Sequence, residues 1–211
     1  VFPGYEVFVS DQEIYLPMAY NNFDENLFSN DFALKFDVLQ YSFFDELIGF
    51  LLRFTSNVSY ILFFIYTLSR FIYFYALYRI VLYFTEDERF SILSLLLFVP
   101  PISVYGTQVF DNYLIPRVMG FSLGLLSLSY LFEKKYFKST ILISLHYLIH
   151  PLTALFFLAI YYLNLLFDFG KRKFLNKELV IPGLIPIGAF LLSSFVNGHG
   201  LGFFVLIDDA W

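Results

Sequence analysis

The chain has 211 residues, 59% of them hydrophobic and 15% charged, against about 45–50% and about 25% in an ordinary soluble domain. Its 30 Phe and 17 Tyr are more rings than a water-soluble core of this length can hide, which predicts an all-α, polytopic bundle of lipid-facing transmembrane helices. The lack of cysteine excludes thiol catalysis, disulfides and thiolate metal sites, the net charge of −5 is segregated along the chain, and nothing resembles a nucleic-acid patch or a phosphate-cradling glycine loop.

The chain divides near Asn57. Residues 1–57 are acidic and only patchily apolar. They carry Glu6, Asp11, Glu13, Asp24, Glu25, Asp31, Asp37, Asp45 and Glu46 against Lys35 and Arg53. Residues 58–211 are apolar runs joined by short charged loops, read as a transmembrane region incomplete at both ends. The start at Val1 without methionine suggests a fragment. A transmembrane helix or signal segment upstream would carry the acidic stretch across the membrane. The loops after Phe132 and Phe167 are basic, with Lys134, Lys135 and Lys138, then Lys171, Arg172, Lys173 and Lys177. Short loops rich in Lys and Arg stay cytoplasmic, which puts residues 1–57 on the extracytoplasmic side, as expected of a bacterial inner (plasma) membrane protein.

Within residues 1–57, Ser10-Asp11-Gln12-Glu13 fits a capping box that opens a helix through Ile14 and Leu16, with Pro17 bending it. Between Phe43 and Leu52, the residues Phe43, Phe44, Leu47, Ile48, Leu51 and Leu52 share one helical face, with Asp45, Glu46 and Arg53 mostly off it. That pattern predicts an amphipathic helix lying in the membrane interface.

Six apolar stretches follow: Val58 to Phe84, Ser91 to Val104, Leu114 to Phe132, a pair from Ser139 to Ile149 and Leu152 to Phe167, and Val180 to Val196. The pair is broken at His150-Pro151 and flanked by basic loops on both sides. Both of its ends are therefore predicted to be cytoplasmic, which makes it a short-armed hairpin and not one kinked helix. An arm from Ser139 to Ile149 rises only about 17 Å, less than a hydrocarbon core of about 30 Å. The break would then lie below the outer surface, at the floor of a cavity, because irregular backbone at that depth must be buried in protein or line a wet space.

Asp11 and Glu13 stand at a helix start on the expected outer side. A carboxylate there can deprotonate an acceptor hydroxyl or hold a divalent cation. On spacing alone the structural reading is the stronger, with Asp11 suiting the helix dipole and Glu13 completing the capping box. Arg117 follows Pro116 at another helix start, where free N–H groups, the dipole and a guanidinium converge on a place for phosphate. The structural alternative pairs Arg117 with Asp111 or with lipid headgroups. His146 and His150 are one helical turn apart. No third ligand lies near, so the pair is not assigned a metal, and His150 is expected to hydrogen-bond at the break left by Pro151. Arg70 and Arg79 point to roughly opposite faces of the first long run, where structural roles are expected. Asn57-Val58-Ser59 matches a glycosylation sequon at a helix start.

With those residues in place, the chain resembles a bacterial membrane glycosyltransferase of the GT-C superfamily. The resemblance rests on Ser10-Asp11-Gln12-Glu13-Ile14-Tyr15-Leu16-Pro17 with Leu27-Phe28-Ser29-Asn30-Asp31 after it, on Ile115-Pro116-Arg117, and on His150-Pro151. It implies a first outer loop carrying an acidic catalytic residue, matched to Asp11. Many members have a paired acid, and here Gln12 stands at the second position. The resemblance further implies a polyprenyl-phosphate sugar arriving from the membrane lipid, Asp11 as general base, Arg117 on the lipid phosphate, and His150 orienting donor or acceptor. A transporter or lipid flippase using Arg70 and the histidines as coupling residues, and a non-catalytic scaffold, remain open at this point.

Overall fold

The structure is a computed structural model. It describes residues 5–9, 11–24, 27–28, 43–55, 57–97, 103–104, 107–108, 111–171 and 184–188. The architecture is all-α apart from one two-residue antiparallel pairing. Helices α1 (Gln12–Phe23) and α2 (Phe44–Leu52) come first, then α3 (Val58–Thr85) and α4 (Glu88–Leu97). The pairing joins β1 (Ser103–Val104) to β2 (Thr107–Gln108), in register Ser103 to Gln108. Helices α5 (Pro116–Phe132), α6 (Tyr136–Ile149) and α7 (Pro151–Lys171) complete the bundle, with a further helical turn at 184–188. Ser10 and most of the run from Val180 to Val196 lie outside the described residues.

Helix starts follow local chemistry. The Asn57 side chain accepts the N–H of Tyr60 at 3.4 Å and caps α3. Pro116 occupies the first turn of α5, where its missing N–H costs nothing. At the end of α5, Lys134 adopts φ 59°, with Lys134 N–H donating to Leu131 and Lys135 N–H to Tyr130. That is a Schellman turn with lysine in the place glycine favours. Glu133, beside it, accepts from Arg79 and Lys135. Burial pushes the Glu133 carboxyl up, but those two cations outweigh it and hold it below the usual carboxylate range. Arg79 also lies 4.0 Å above the Tyr130 ring.

The break at His150 folds the chain back on itself. The hydroxyls of Thr140 on α6 and Tyr161 on α7 are hydrogen-bonded, which a continuous helix would hold far apart. The pair is therefore a hairpin. Its arms are unequal: α6 has 14 residues and α7 has 21, about 21 and 32 Å of helix. The second arm is longer than the sequence reading has it, because the helix runs on past Phe167.

Two apolar clusters divide the bundle. At one end Leu16, Ala19, Phe44, Ile48, Leu62 and Ile149 pack together, so α1 and α2 cap the starts of α3 and α5 and the end of α6. At the far end Leu131, Tyr136, Ile143, Phe157, Tyr161 and Leu165 pack together. Lys171 closes α7, which runs from the capped end toward the far end. Tyr15 meets Phe44, and Gly49 meets Ala19 and Asn22, so α1 and α2 run side by side in the same direction. A Cβ at Gly49 would lie 2.8 Å from the Ala19 carbonyl oxygen, so only glycine permits this approach.

Helix α1 runs on past Pro17 to Phe23. One expectation about the cap changes. Asp45 is buried with Phe44, Ile48, Gly49 and Leu52, not turned to solvent with the polar face. The reason is that α1 covers the flank of α2 that carries Asp45 and Gly49.

Candidate functional site

Three backbone and side-chain ties hold the cap against the bundle. Glu6 N–H donates to the Asn112 carbonyl at 2.9 Å, and Phe43 N–H donates to the Leu148 carbonyl at 2.9 Å. The Gln12 amide N–H donates to the Leu114 carbonyl at 2.9 Å, while its oxygen accepts the Phe8 N–H at 2.8 Å. Gln12 is buried, and both of its contacts need an amide. A carboxylate at this position could accept from Phe8 but could not donate to Leu114. That accounts physically for the amide where a second acid would complete the pair.

Asp11 and Glu13 flank Gln12 and are both exposed. Asp11 is the N-cap residue of α1, and its side chain makes no capping hydrogen bond. Among the described residues, neither acid hydrogen-bonds Arg117 or either histidine. Both belong to the segment that Gln12 fastens just before α5, three residues ahead of Arg117.

Arg117 donates to Asp111 Oδ2 at 3.0 Å, and Asp111 is nearly enclosed. The Asp111 carbonyl accepts from the Tyr66 hydroxyl at 3.1 Å and from Arg70. Arg70 lies 4.9 Å from the centroid of the Tyr66 ring. Asp111 thus gathers α3 and the start of α5 at one point, through both its carboxylate and its backbone. The Arg117 side chain keeps 37% exposure, so it is not enclosed by its contact with Asp111.

His150 ends α6 and begins α7. Its N–H donates to the His146 carbonyl at 2.9 Å, and its own carbonyl accepts the Ala154 N–H at 3.2 Å. Its Nδ1 accepts the Thr153 N–H at 3.2 Å, which makes the imidazole an N-cap of α7, followed by Pro151 in the first turn. The hydroxyl of Thr153 sits 2.8 Å from His150 Nδ1 and 2.9 Å from His146 Nε2. The histidines are therefore joined through threonine. Among the described residues, no three His, Asp or Glu side chains gather as cation ligands.

His146 is 0% exposed. It fits a notch on α5 made by Gly120 and Gly124. A Cβ on Gly120 would lie 2.7 Å from His146 Cδ2 and 3.2 Å from His150 Cβ. On Gly124 a Cβ would lie 2.7 Å from His146 Nδ1 and 2.9 Å from Phe157 Cδ1. One helical turn further, the Ser127 hydroxyl donates to the Ser139 carbonyl at 2.8 Å. The small residues let α5 and α6 close on one another, with His150 set against the first turns of α5 and within range of the Arg117 charge. Gly124→Ala is expected to lower stability by about 1–3 kcal/mol through overpacking. The check is a drop in the thermal unfolding midpoint in detergent. Gly188→Ala serves as control, since its Cβ would meet nothing within 4 Å.

Arg117, His146 and His150 are thus brought together, and the acids are carried by a cap fastened to the same end. Sequence reasoning passed over Thr153, and it named Gln12 and Asp45 without the contacts that bury them. The spacing of His150 and Thr153, an N-cap and its third helical position, is the signal that reveals the first of them. α3 is one helix long and apolar enough to cross a membrane. No family model, curated protein or solved structure matches the chain.

Proposed function

We propose that the chain is a polytopic membrane glycosyltransferase of the GT-C type, moving a sugar from a polyprenyl-phosphate donor to an acceptor hydroxyl. The observation that carries the reading is the fastening of the acidic cap to the end that holds Arg117 and His150. The acceptor hydroxyl gives its proton to the Asp11 carboxylate as its oxygen attacks the anomeric carbon. The bond from that carbon to the phosphate oxygen breaks, and the electron pair leaves with the polyprenyl phosphate. Arg117 stabilises the departing charge, sharing its guanidinium between Asp111 and the phosphate. His150 orients the donor. Glu13 is the second carboxylate able to serve as base.

A lipid surround is supported by what the helices leave outside. α3 has 28 residues, about 42 Å of helix, and exposes Tyr60, Phe64 and Phe71 by more than two thirds each. α7 exposes Leu152, Phe156 and Leu163. Rings and aliphatic chains spread around the bundle match hydrocarbon and not water. The lysines at the start of α6 lie at the far end, so the positive-inside rule assigns the capped end to the extracytoplasmic side.

Two measurements test this reading. The chain has no cysteine, so single replacements report topology directly. An impermeant thiol reagent added to intact cells is expected to label Glu13→Cys and to spare Lys135→Cys, and the reverse pattern would overturn the assignment of sides. The protein in lipid nanodiscs, given polyprenyl-phosphate sugars and an acceptor extract, is expected to release polyprenyl phosphate. No release above a protein-free control would remove the transferase reading.

A further inference from the structure

The hydrogen bonds at the hairpin turn carry one conclusion beyond the proposed reaction. A backbone N–H can only donate, so the Thr153 N–H at 3.2 Å requires a lone pair on His150 Nδ1. A neutral His150 therefore holds its proton on Nε2. The Thr153 hydroxyl, 2.8 Å from the same Nδ1, must also point its single hydrogen there or toward the His150 carbonyl at 3.3 Å. In either case its oxygen is left to accept from His146 Nε2 at 2.9 Å. His146 then holds its proton on Nε2 and turns a bare Nδ1 toward Gly124, where that atom is enclosed without a hydrogen-bond partner among the described residues. The opposite polarity would set two donors against each other at His150 and bury an unpaired N–H on His146. A buried acceptor without a partner is tolerated more often than a buried donor. Both ends therefore select the same direction.

We propose that His146, Thr153 and His150 form one polarised chain, His146 Nε2–H to Thr153 hydroxyl to His150 Nδ1, that presents His150 Nε2–H beside Arg117 as a donor to an anionic phosphate oxygen. His150 is partly exposed, and its second nitrogen points away from the contacts that hold the first. Gly120 admits the His150 Cβ against α5, one turn from Arg117. A guanidinium and an imidazole N–H side by side suit phosphate oxygens and reject cations. Thr153 and His146 act through His150 and are positioning residues. The ligand assignment rests on the proposed reaction, whereas the chain of hydrogen bonds stands apart from it.

The test is nitrogen-15 resonance of histidine-labelled protein in nanodiscs, where Nδ1 and Nε2 resonances identify the protonated nitrogen. The sequence has 3 histidines, assigned by replacing His146 and His150 singly with Gln. In the unaltered protein His150 is expected to be neutral and protonated only at Nε2. Thr153→Ser should preserve this state. Thr153→Val keeps the backbone donor, so His150 should stay protonated at Nε2, whereas His146 loses the acceptor for its Nε2–H and should populate its Nδ1–H form to a measurable extent. Adding a prenyl phosphate should shift the His150 Nε2 resonance in the unaltered and Thr153→Ser proteins, and less in Thr153→Val. An Nδ1–H or charged His150 in the unaltered protein would overturn the proposal. So would an unchanged His146 tautomer in Thr153→Val, or a His150 resonance that prenyl phosphate leaves in place. An equal shift with inorganic phosphate alone would keep the donor role. It would count against a lipid-borne phosphate, and so against the transferase reading and not against the hydrogen-bond chain.

Discussion

Asp11→Asn is expected to reduce sugar transfer by about two to four orders of magnitude, the usual contribution of a positioned general base, while the fold survives unchanged. The second half of that expectation follows from the geometry. Asp11 is exposed, and its side chain caps nothing. Its backbone carbonyl, not its carboxylate, receives the N–H groups of Ile14 and Tyr15. What asparagine removes structurally is the interaction of one charge with the helix dipole, about 0.3–1 kcal/mol. Loss of activity with an unfolding midpoint near that of the unaltered protein therefore points to chemistry. Glu13→Gln supplies the comparison, because Glu13 is equally exposed and sits on the other side of Gln12. It should retain transfer. If Glu13→Gln is inactive and Asp11→Asn is not, the base is Glu13. If both remain active and the double variant does too, neither carboxylate takes the proton.

Asp45→Asn is expected to stabilise the protein above neutral pH by an amount on the order of a few kcal/mol. Asp45 is 1% exposed, and neither carboxylate oxygen has a hydrogen-bond partner among the described residues. Burial pushes its carboxyl up to about 8, and the neighbouring Glu46 adds to the shift. The folded state therefore binds this proton more tightly than the unfolded chain, where the group has its ordinary value of 3.8. The stabilising contribution is complete below that value. It falls as pH rises, by about 1.4 kcal/mol per unit, until the folded group ionises near pH 8. Asparagine has no proton to lose and removes this slope. Glu46, raised by burial in the same direction, leaves a smaller slope behind. In detergent, the unfolding midpoint should fall from pH 4.5 to 8.5 in the unaltered protein and fall less in Asp45→Asn, with the widest gap at the alkaline end. For a chain of this size each kcal/mol corresponds to about 2–4 °C. Parallel curves for the two proteins would show that Asp45 ionises freely in the fold.

Much of the helical layout can be read from local pattern. The apolar run from Val58 predicts α3, Pro116 marks the start of α5, and the basic loops around the pair broken at His150-Pro151 predict a hairpin. These features depend on residues close together in the chain. The residues that escaped depend on what a distant segment brings. Asp45 is polar on a helical wheel, and only the approach of α1 over Gly49 encloses it. Asp111 looks like a loop acid, and nothing local indicates that its carbonyl collects Tyr66 and Arg70 from α3. Gln12 reads as a departure from an acidic pair until Leu114, far along the chain, supplies the carbonyl that requires an amide. Arg117 shows the opposite case, since phosphate and Asp111 were both legible partners. The geometry supplies the Asp111 contact and leaves part of the side chain open.

The inequality of the hairpin arms has a mechanical consequence. Both arms share the turn at His150, yet one has 14 residues and the other 21, so their opposite ends differ in depth by about 10 Å. On the proposed membrane-spanning reading, a lamella of uniform thickness would not match both. Lipid next to the shorter arm would have to thin, or its lysines stretch toward the headgroups. The bilayer would then be dented on that flank, and the protein drawn toward thinner or more compressible patches of membrane.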